Sequence, residues 1–298
     1  NEAPTVMGLS DYKLSANTIT DYSQPILFDG FMANRSKKKI WVMYAFKFEN
    51  ETGSYIVPGR CAELDHNYGL TAFDFRCQTV PNGTYKVYPI YRDMENGEWH
   101  YPSTNPKDGT PTIKVNVPVS YIYNAQDLVA YREQVEKGIN GCAIIMNDID
   151  MSEVCGQAKG NWTPIGSTAA PFKGRVIGNG HVISNLYIRN TKPYQGLFGA
   201  IGDGAYITGI TLDNTCNIRG GSYVGGIAGG SNIGGFVTIT NCGNEGTIYA
   251  TQQNGGGIIG CSNGSHATFI IKDCYNTGVI SGNLENGAIS GWAGNNAT

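Results

Sequence analysis

The sequence predicts an all-β protein of two domains: a β-sandwich over residues 1–118 and, over residues 119–298, a short parallel β-helix closed at its start by one helix. Three observations carry this. Glycine use changes abruptly along the chain, with 8 glycines in the first 118 positions and 33 in the remaining 180. The first stretch alternates short apolar runs with turn signals, and the second repeats itself with a period near thirty residues.

In the first domain residues 40–48 are apolar and aromatic, and residues 85–91 and 112–119 alternate in the period of a half-buried strand. Pro81-Asn82-Gly83, Asn96-Gly97 and Asp108-Gly109 mark reversals between them. Short strands at this spacing give an immunoglobulin-like sandwich as the expected architecture. Its 12 basic and 13 acidic side chains nearly cancel. The one cluster, Arg35 with Lys37, Lys38 and Lys39, is expected in a solvated hairpin loop. Cys61 and Cys77 are read either as a cross-strand pair or as two buried thiols.

The domains are expected to meet at residues 117–121. Residues 124–137 form the one convincing helix: Asn124 can cap it, Leu128, Tyr131 and Val135 line one face, and Gly138 ends it. A solenoid exposes unpaired backbone at an open end, so this helix is placed to cover the first coil.

Three registers then repeat together. Gly196-Leu197-Phe198-Gly199, Gly226-Ile227-Ala228-Gly229, Gly257-Ile258-Ile259-Gly260 and Ala288-Ile289-Ser290-Gly291 form one; Ile188, Ile218, Ile248 and Ile280 a second; Asn214, Asn244 and Asn276 a third. Each unit offers three short strand-like pieces separated by Gly and Asn bends, as one coil of a three-sided parallel β-helix requires. The isoleucines are expected as core ladders and the asparagines as corner ladders. Cys242 and Cys274, at equivalent positions, are expected as stacked buried thiols rather than a disulfide.

Residues 162–166 (WTPIG), 172–174 (FKG), 178–188 (GNGHVISNLYI) and 196–199 (GLFG), with 147–151 (NDIDM), resemble the GLUG-motif repeat proteins over roughly residues 120–298. The resemblance implies a right-handed β-helix exposed on a bacterial cell surface and used for adhesion or display, with no activity of its own established. The last unit departs from the pattern, with Ala288 in place of the first glycine. Residues 83–92 and Trp99 are similar to immunoglobulin-like modules of Bacteroidetes surface lipoproteins. An exported protein, extracellular or on the outer-membrane surface, is therefore expected, and the start at Asn1 rather than Met fits either a processed leader or an imposed boundary just upstream.

A net charge of −3 argues against nucleic acid as partner, and no stretch is apolar for long enough to span a membrane as a helix. Neither a C-x-x-C pair nor an H-E-x-x-H is present, and the G-x-G-x-x-G match at residues 255–260 falls on the repeat glycines with no helix after it. The main rival to a binding module is a polysaccharide lyase or glycosidase, which would gather carboxylates in one groove. From Gly156 onward only Asp203, Asp213, Glu245, Asp273 and Glu285 are acidic, and Asp213 and Asp273 are expected near equivalent corners. Asp148 and Asp150 flank Ile149 on one strand face with Glu153 nearby; structural hydrogen bonding is the first reading and calcium the second, with no other cofactor expected. His181 is read as a turn or packing residue. Trp99, Tyr101, Tyr187, Tyr194 and Tyr223 are the candidates for binding a glycan or a partner protein, and the chain is expected to be a monomer and not an enzyme.

Overall fold

The computed structural model describes residues 7–9, 12–94, 97–104, 110–231, 235–262 and 267–293. They divide into two compact units at Val117/Pro118. Asn96, Asp108 and Gly109, of the expected turns, lie outside the described residues.

The first unit contains two sheets. One joins Met7–Leu9, Lys13–Leu14, Ile26–Asn34, Gly69–Phe75 and Ser103–Thr104; the other joins Thr18–Ile19, Ile40–Asn50, Gly53–Leu64, Gly83–Asp93, Trp99–His100 and Thr112–Val115. Alternation decides the buried face: Ile40, Val42, Tyr44, Phe46 and Phe48 are all buried on Ile40–Asn50. Phe46 packs on Phe28 and Phe75 of the other sheet, with ring centroids 5.6 and 3.9 Å away, so the core is aromatic and lies between the sheets. Asn82, from the expected turn, donates to the Val117 carbonyl and accepts from the Val117 N–H, pinning the end of the unit.

The basic cluster does not sit in a hairpin. The strands on either side of it, Ile26–Asn34 and Ile40–Asn50, belong to different sheets, so residues 35–39 form a connection between layers. Asn34 holds its start by accepting from Ser36 and donating to the Lys38 carbonyl. Cys61 and Cys77 are free thiols, and only Cys77 is fully buried.

The second unit is a parallel β-solenoid of about 5 turns with three faces. Val119–Ile122 and Cys142–Ile145 begin the first face, which continues through Arg175–Ser184, Tyr206–Leu212, Gly235–Thr240 and Ala267–Lys272. The second face stacks Tyr187–Arg189, Asn217–Gly225, Thr247–Gly256 and Ile280–Gly287. Phe198–Ala200, Ala228–Ser231, Ile259–Ser262 and Ser290–Ala293 form the third.

Inward side chains rest on their equivalents a coil away, and the longer strands carry more than one, as where Ile183 lies beside Leu212. Val176, Ile207 and Ile239 do so on the first face, and Ile188, Ile218, Ile248 and Ile280 on the second, in the register the sequence predicts. Each fully buried isoleucine contributes roughly 1.5–3 kcal/mol of apolar burial. The helix, Ala125–Glu136, is capped by Asn124, whose side chain accepts from the Asp127 N–H, and it buries Ala125, Leu128, Tyr131 and Val135 in the same core cluster. Tyr131 donates to the Gly141 carbonyl at 3.0 Å and meets Phe172 edge-on, while Arg132 lies over the Trp162 ring and donates to the Thr163 carbonyl.

The asparagine register is only partly as expected. Asn244 bonds Asn276 at 2.8 Å, but the ladder sets Leu212, not Asn214, beneath Asn244. The coils differ at this corner: thirty-two positions separate Leu212 from Asn244, and thirty separate Asn217 from Thr247. Asn214 therefore falls in a longer corner. The same offset separates Asp213 from Asp273: Asp213 follows the Leu212 rung, toward Glu245, whereas Asp273 stacks above Asn241.

Candidate functional site

Trp99 and Tyr101 lie on the outer side of the larger sheet in the first unit. Trp99 pairs in register with Arg92, whose guanidinium lies 5.1 Å from the indole ring. Tyr101 is 59% exposed. Its hydroxyl accepts from Lys47 Nζ at 3.0 Å, and its ring meets Tyr88 edge-on at 6.4 Å. Lys47 and Tyr88 face each other on adjacent strands, so the sheet itself fixes the spacing of this group. The bond to Tyr101 leads the causes that push the Lys47 ammonium above its ordinary pKa, with the nearby Glu49 adding to it. The result is a rigid aromatic strip carrying two cations.

Tyr194 and Tyr223 meet on one corner of the solenoid, ring on ring at 4.9 Å. Both hold a left-handed backbone, φ 55° and 60°, an unusual conformation for a bulky side chain. They head a column: Tyr223 is followed by Asn254 and Glu285, at φ 63° and 54°, with Asn254 donating to Glu285 at 2.7 Å. Asparagine is the favoured left-handed residue, so two tyrosines here keep a strained backbone that the third coil relieves. Tyr187 is half-buried against the core, which leaves only part of its ring for a ligand. Beside it on the second face run Arg189, Arg219 and Tyr249, stacked coil on coil, with the Arg219 guanidinium 5.2 Å from the Tyr249 ring.

Asp148 and Asp150 both project outward around buried Ile149, but they bond different neighbours. Asp148 accepts from the Val182 N–H at 2.9 Å and stands 3.1 Å from His181 Nδ1, and these contacts, the backbone one first, hold its carboxyl below the usual range. Asp150 accepts from Asn185 Nδ2 and from the Ser152 N–H, which lower it in the same way and cap the short turn Met151–Glu153. Among the described residues no group of three or more His, Cys, Asp or Glu is placed to hold a metal ion. Calcium takes six to eight oxygens, and the two carboxylates do not converge with Glu153 into such a set.

Sequence reasoning named the aromatic residues but missed what they pair with. Lys47, Tyr88 and Arg92 reach Tyr101 and Trp99 through cross-strand register, which spacing along the chain does not show. His181 is more than a turn residue: it meets Asp148 of the adjacent coil, thirty-three positions away. The GNG bend at residues 178–180, which sets its direction, was the only signal available.

No family model matches the chain. A Gly-rich protein of Evansella cellulosilytica, whose name calls it a membrane protein, is 35% identical over 69 residues, which is 23% of this chain and 8% of that one. A solved structure of a calcium-binding mutant of Bacteroides uniformis beta-glucuronidase 2 covers 70% of this chain and 28% of its own, at 9% identity and a TM-score of 0.22, too low for any argument. This chain thus spans a small part of either protein. Among the described residues no helix is long and apolar enough to cross a membrane, which says nothing of strands.

Proposed function

We propose that this chain is a non-catalytic adhesion or ligand-display module, exported to the bacterial surface, that binds glycan or a partner protein through exposed aromatic and cationic side chains. The first unit is read as immunoglobulin-like and the second as a right-handed β-helix of the GLUG type. The observation that carries the reading is the strip in which Tyr101, held by Lys47 and Tyr88, lies near Trp99 under Arg92. Tyrosine and tryptophan offer flat apolar faces to sugar rings or protein side chains at small entropic cost, and the guanidinium and ammonium supply the donors that orient a polar ligand.

The test is binding of the labelled chain to an array of host and plant glycans and extracellular-matrix proteins, with and without chelator, while the supernatant is assayed for released sugar. Saturable binding that Tyr101→Ala weakens at least tenfold, with no sugar released, is the expected result. Loss of binding in chelator would show that the interaction needs a divalent cation, and Asp148 and Asp150 would be the first residues to test as its ligands. Released oligosaccharide would overturn the binding reading in favour of a carbohydrate-active enzyme, with His181 and Asp148 the first residues to examine.

A further inference from the structure

Cys242 and Cys274 occupy one column of the solenoid. The ladder pairs Gly243 with Tyr275, which sets the cysteine before each on adjacent coils. Both follow a left-handed corner residue, Asn241 and Asp273, so the two chains approach the column by the same path. In the reduced chain Cys242 donates to the Thr240 carbonyl at 3.3 Å and Cys274 lies within reach of the Lys272 and Ile239 carbonyls, so the two thiols stand side by side in the same column. Cys242 is wholly buried while Cys274 is partly exposed, so a reagent can enter the column only at Cys274. One coil earlier the position belongs to Ile210, an ordinary core residue.

We infer that Cys274 and Cys242 are a redox-active dithiol, with Cys274 the attacking and Cys242 the resolving thiol, that closes into an intercoil disulfide on meeting a small-molecule disulfide. Residues in register on neighbouring strands lie about 4.8 Å apart, inside the ~4.4–6.8 Å between Cα atoms that a disulfide spans. The Cys274 thiolate attacks one sulfur of the oxidant, forming a mixed disulfide and expelling one thiolate. Cys242 then gives up its proton and attacks the Cys274 sulfur, and the second half of the oxidant leaves as thiolate. Two protein thiols are oxidised and one disulfide is reduced to two thiols.

The other thiols of this unit are not suited to the first step. Burial leads the causes that push Cys142, Cys155, Cys216 and Cys261 upward, the last two to about 12. The neighbouring Cys242 thiol, which can turn its S–H toward a thiolate formed beside it, instead draws Cys274 down. The bond would also fall where the fold most needs it. In the last coil Val279 is 63% and Leu284 56% exposed, and Ile280 and Ile289 are only partly buried. A covalent tie to the coil beneath opposes its peeling away.

The experiment incubates the reduced chain with oxidised glutathione, quenches with N-ethylmaleimide, and reads intact mass and a peptide map. The native chain should lose two hydrogens, retain no glutathione, and yield a cross-linked peptide joining positions 242 and 274. Cys242→Ser should instead keep one glutathione on Cys274, and Cys274→Ser should form neither product. Glutathione retained on Cys274 of the native chain, or Cys274 left unmodified, would overturn the inference. The native-chain map decides even if a variant fails to fold.

Discussion

Gly229→Ala tests why the repeat closes on glycine. A Cβ at this position would lie 2.6 Å from both the Cα and the carbonyl carbon of Tyr194 and 2.8 Å from the Gln195 nitrogen. Carbon atoms pack well from about 3.5 Å, so the backbone of the neighbouring coil would have to yield by about 0.9 Å. Overpacking of this kind costs ~1–3 kcal/mol. Because the clash is with backbone atoms, the cost lies in the upper part of that range, ~2–3 kcal/mol, and alanine recovers up to ~1 kcal/mol through its lower unfolded-chain entropy, leaving a net loss of about 1–2 kcal/mol. Urea unfolding followed by circular dichroism should show a lower midpoint at unchanged slope, and the melting temperature should fall by about 2–8 °C. Gly138→Ala is the control, since φ is +79° there and nothing lies within 4 Å, so only the backbone term of ~1–2 kcal/mol applies. A Gly229→Ala protein within about 0.5 kcal/mol of the parent, beside a clearly weakened Gly138→Ala, would refute the close-approach account.

Other expectations follow from single contacts. Tyr131→Phe removes the buried bond to the Gly141 carbonyl and should lower stability by about 1 kcal/mol in the same unfolding assay. Tyr223→Asn should leave stability within about 1 kcal/mol, because relief of the left-handed backbone offsets the lost ring stack, while weakening any ligand bound at that corner; a large loss of stability would mean the stack is structural. The Asp148 carboxyl is lowered in the folded chain, so its contribution is complete above its unfolded pKa and vanishes as pH falls through the lower folded value. Melting curves of Asp148→Asn should therefore converge on those of the parent at the acid end and lie below them at neutral pH. Maleimide should label Cys274 well before the five buried thiols of its unit, with half-maximal rate near pH 7, and a rate no faster than theirs would contradict the lowering of Cys274 by its neighbour Cys242.

Much of the solenoid was legible because its constraint is periodic. The Ile188 to Ile280 column and the glycine-closed units follow from residues that must meet a copy of themselves one coil away, while the capping helix follows from its own Asn124 cap and apolar face. The corners were less legible, because they absorb length differences. The ladder skips one residue between Gly220 and Ser222 but two between Ala250 and Gln253, and such shifts defeated the Asn214 and Asp213 alignments. Left-handed tyrosines carry no sequence signal, since a tyrosine in that conformation looks like any other. In the first unit strand runs were plain but partners were not: Met7–Leu9 pairs in parallel with Ser103–Thr104, nearly a hundred positions on. The aromatic strip depends on such pairings and could not be assembled from spacing.

The inward columns leave their outward neighbours unconstrained. Ile218 and Ile248 must match, but beside them Arg219 and Tyr249 need not. Each coil is in effect a line of text set on fixed ruling. A substitution at an outward position rewrites one line without disturbing the next, and duplicating a whole coil adds a line about 4.8 Å further along the axis. Such a surface can exchange one ligand for another by few changes, while the core that holds it stays as it was.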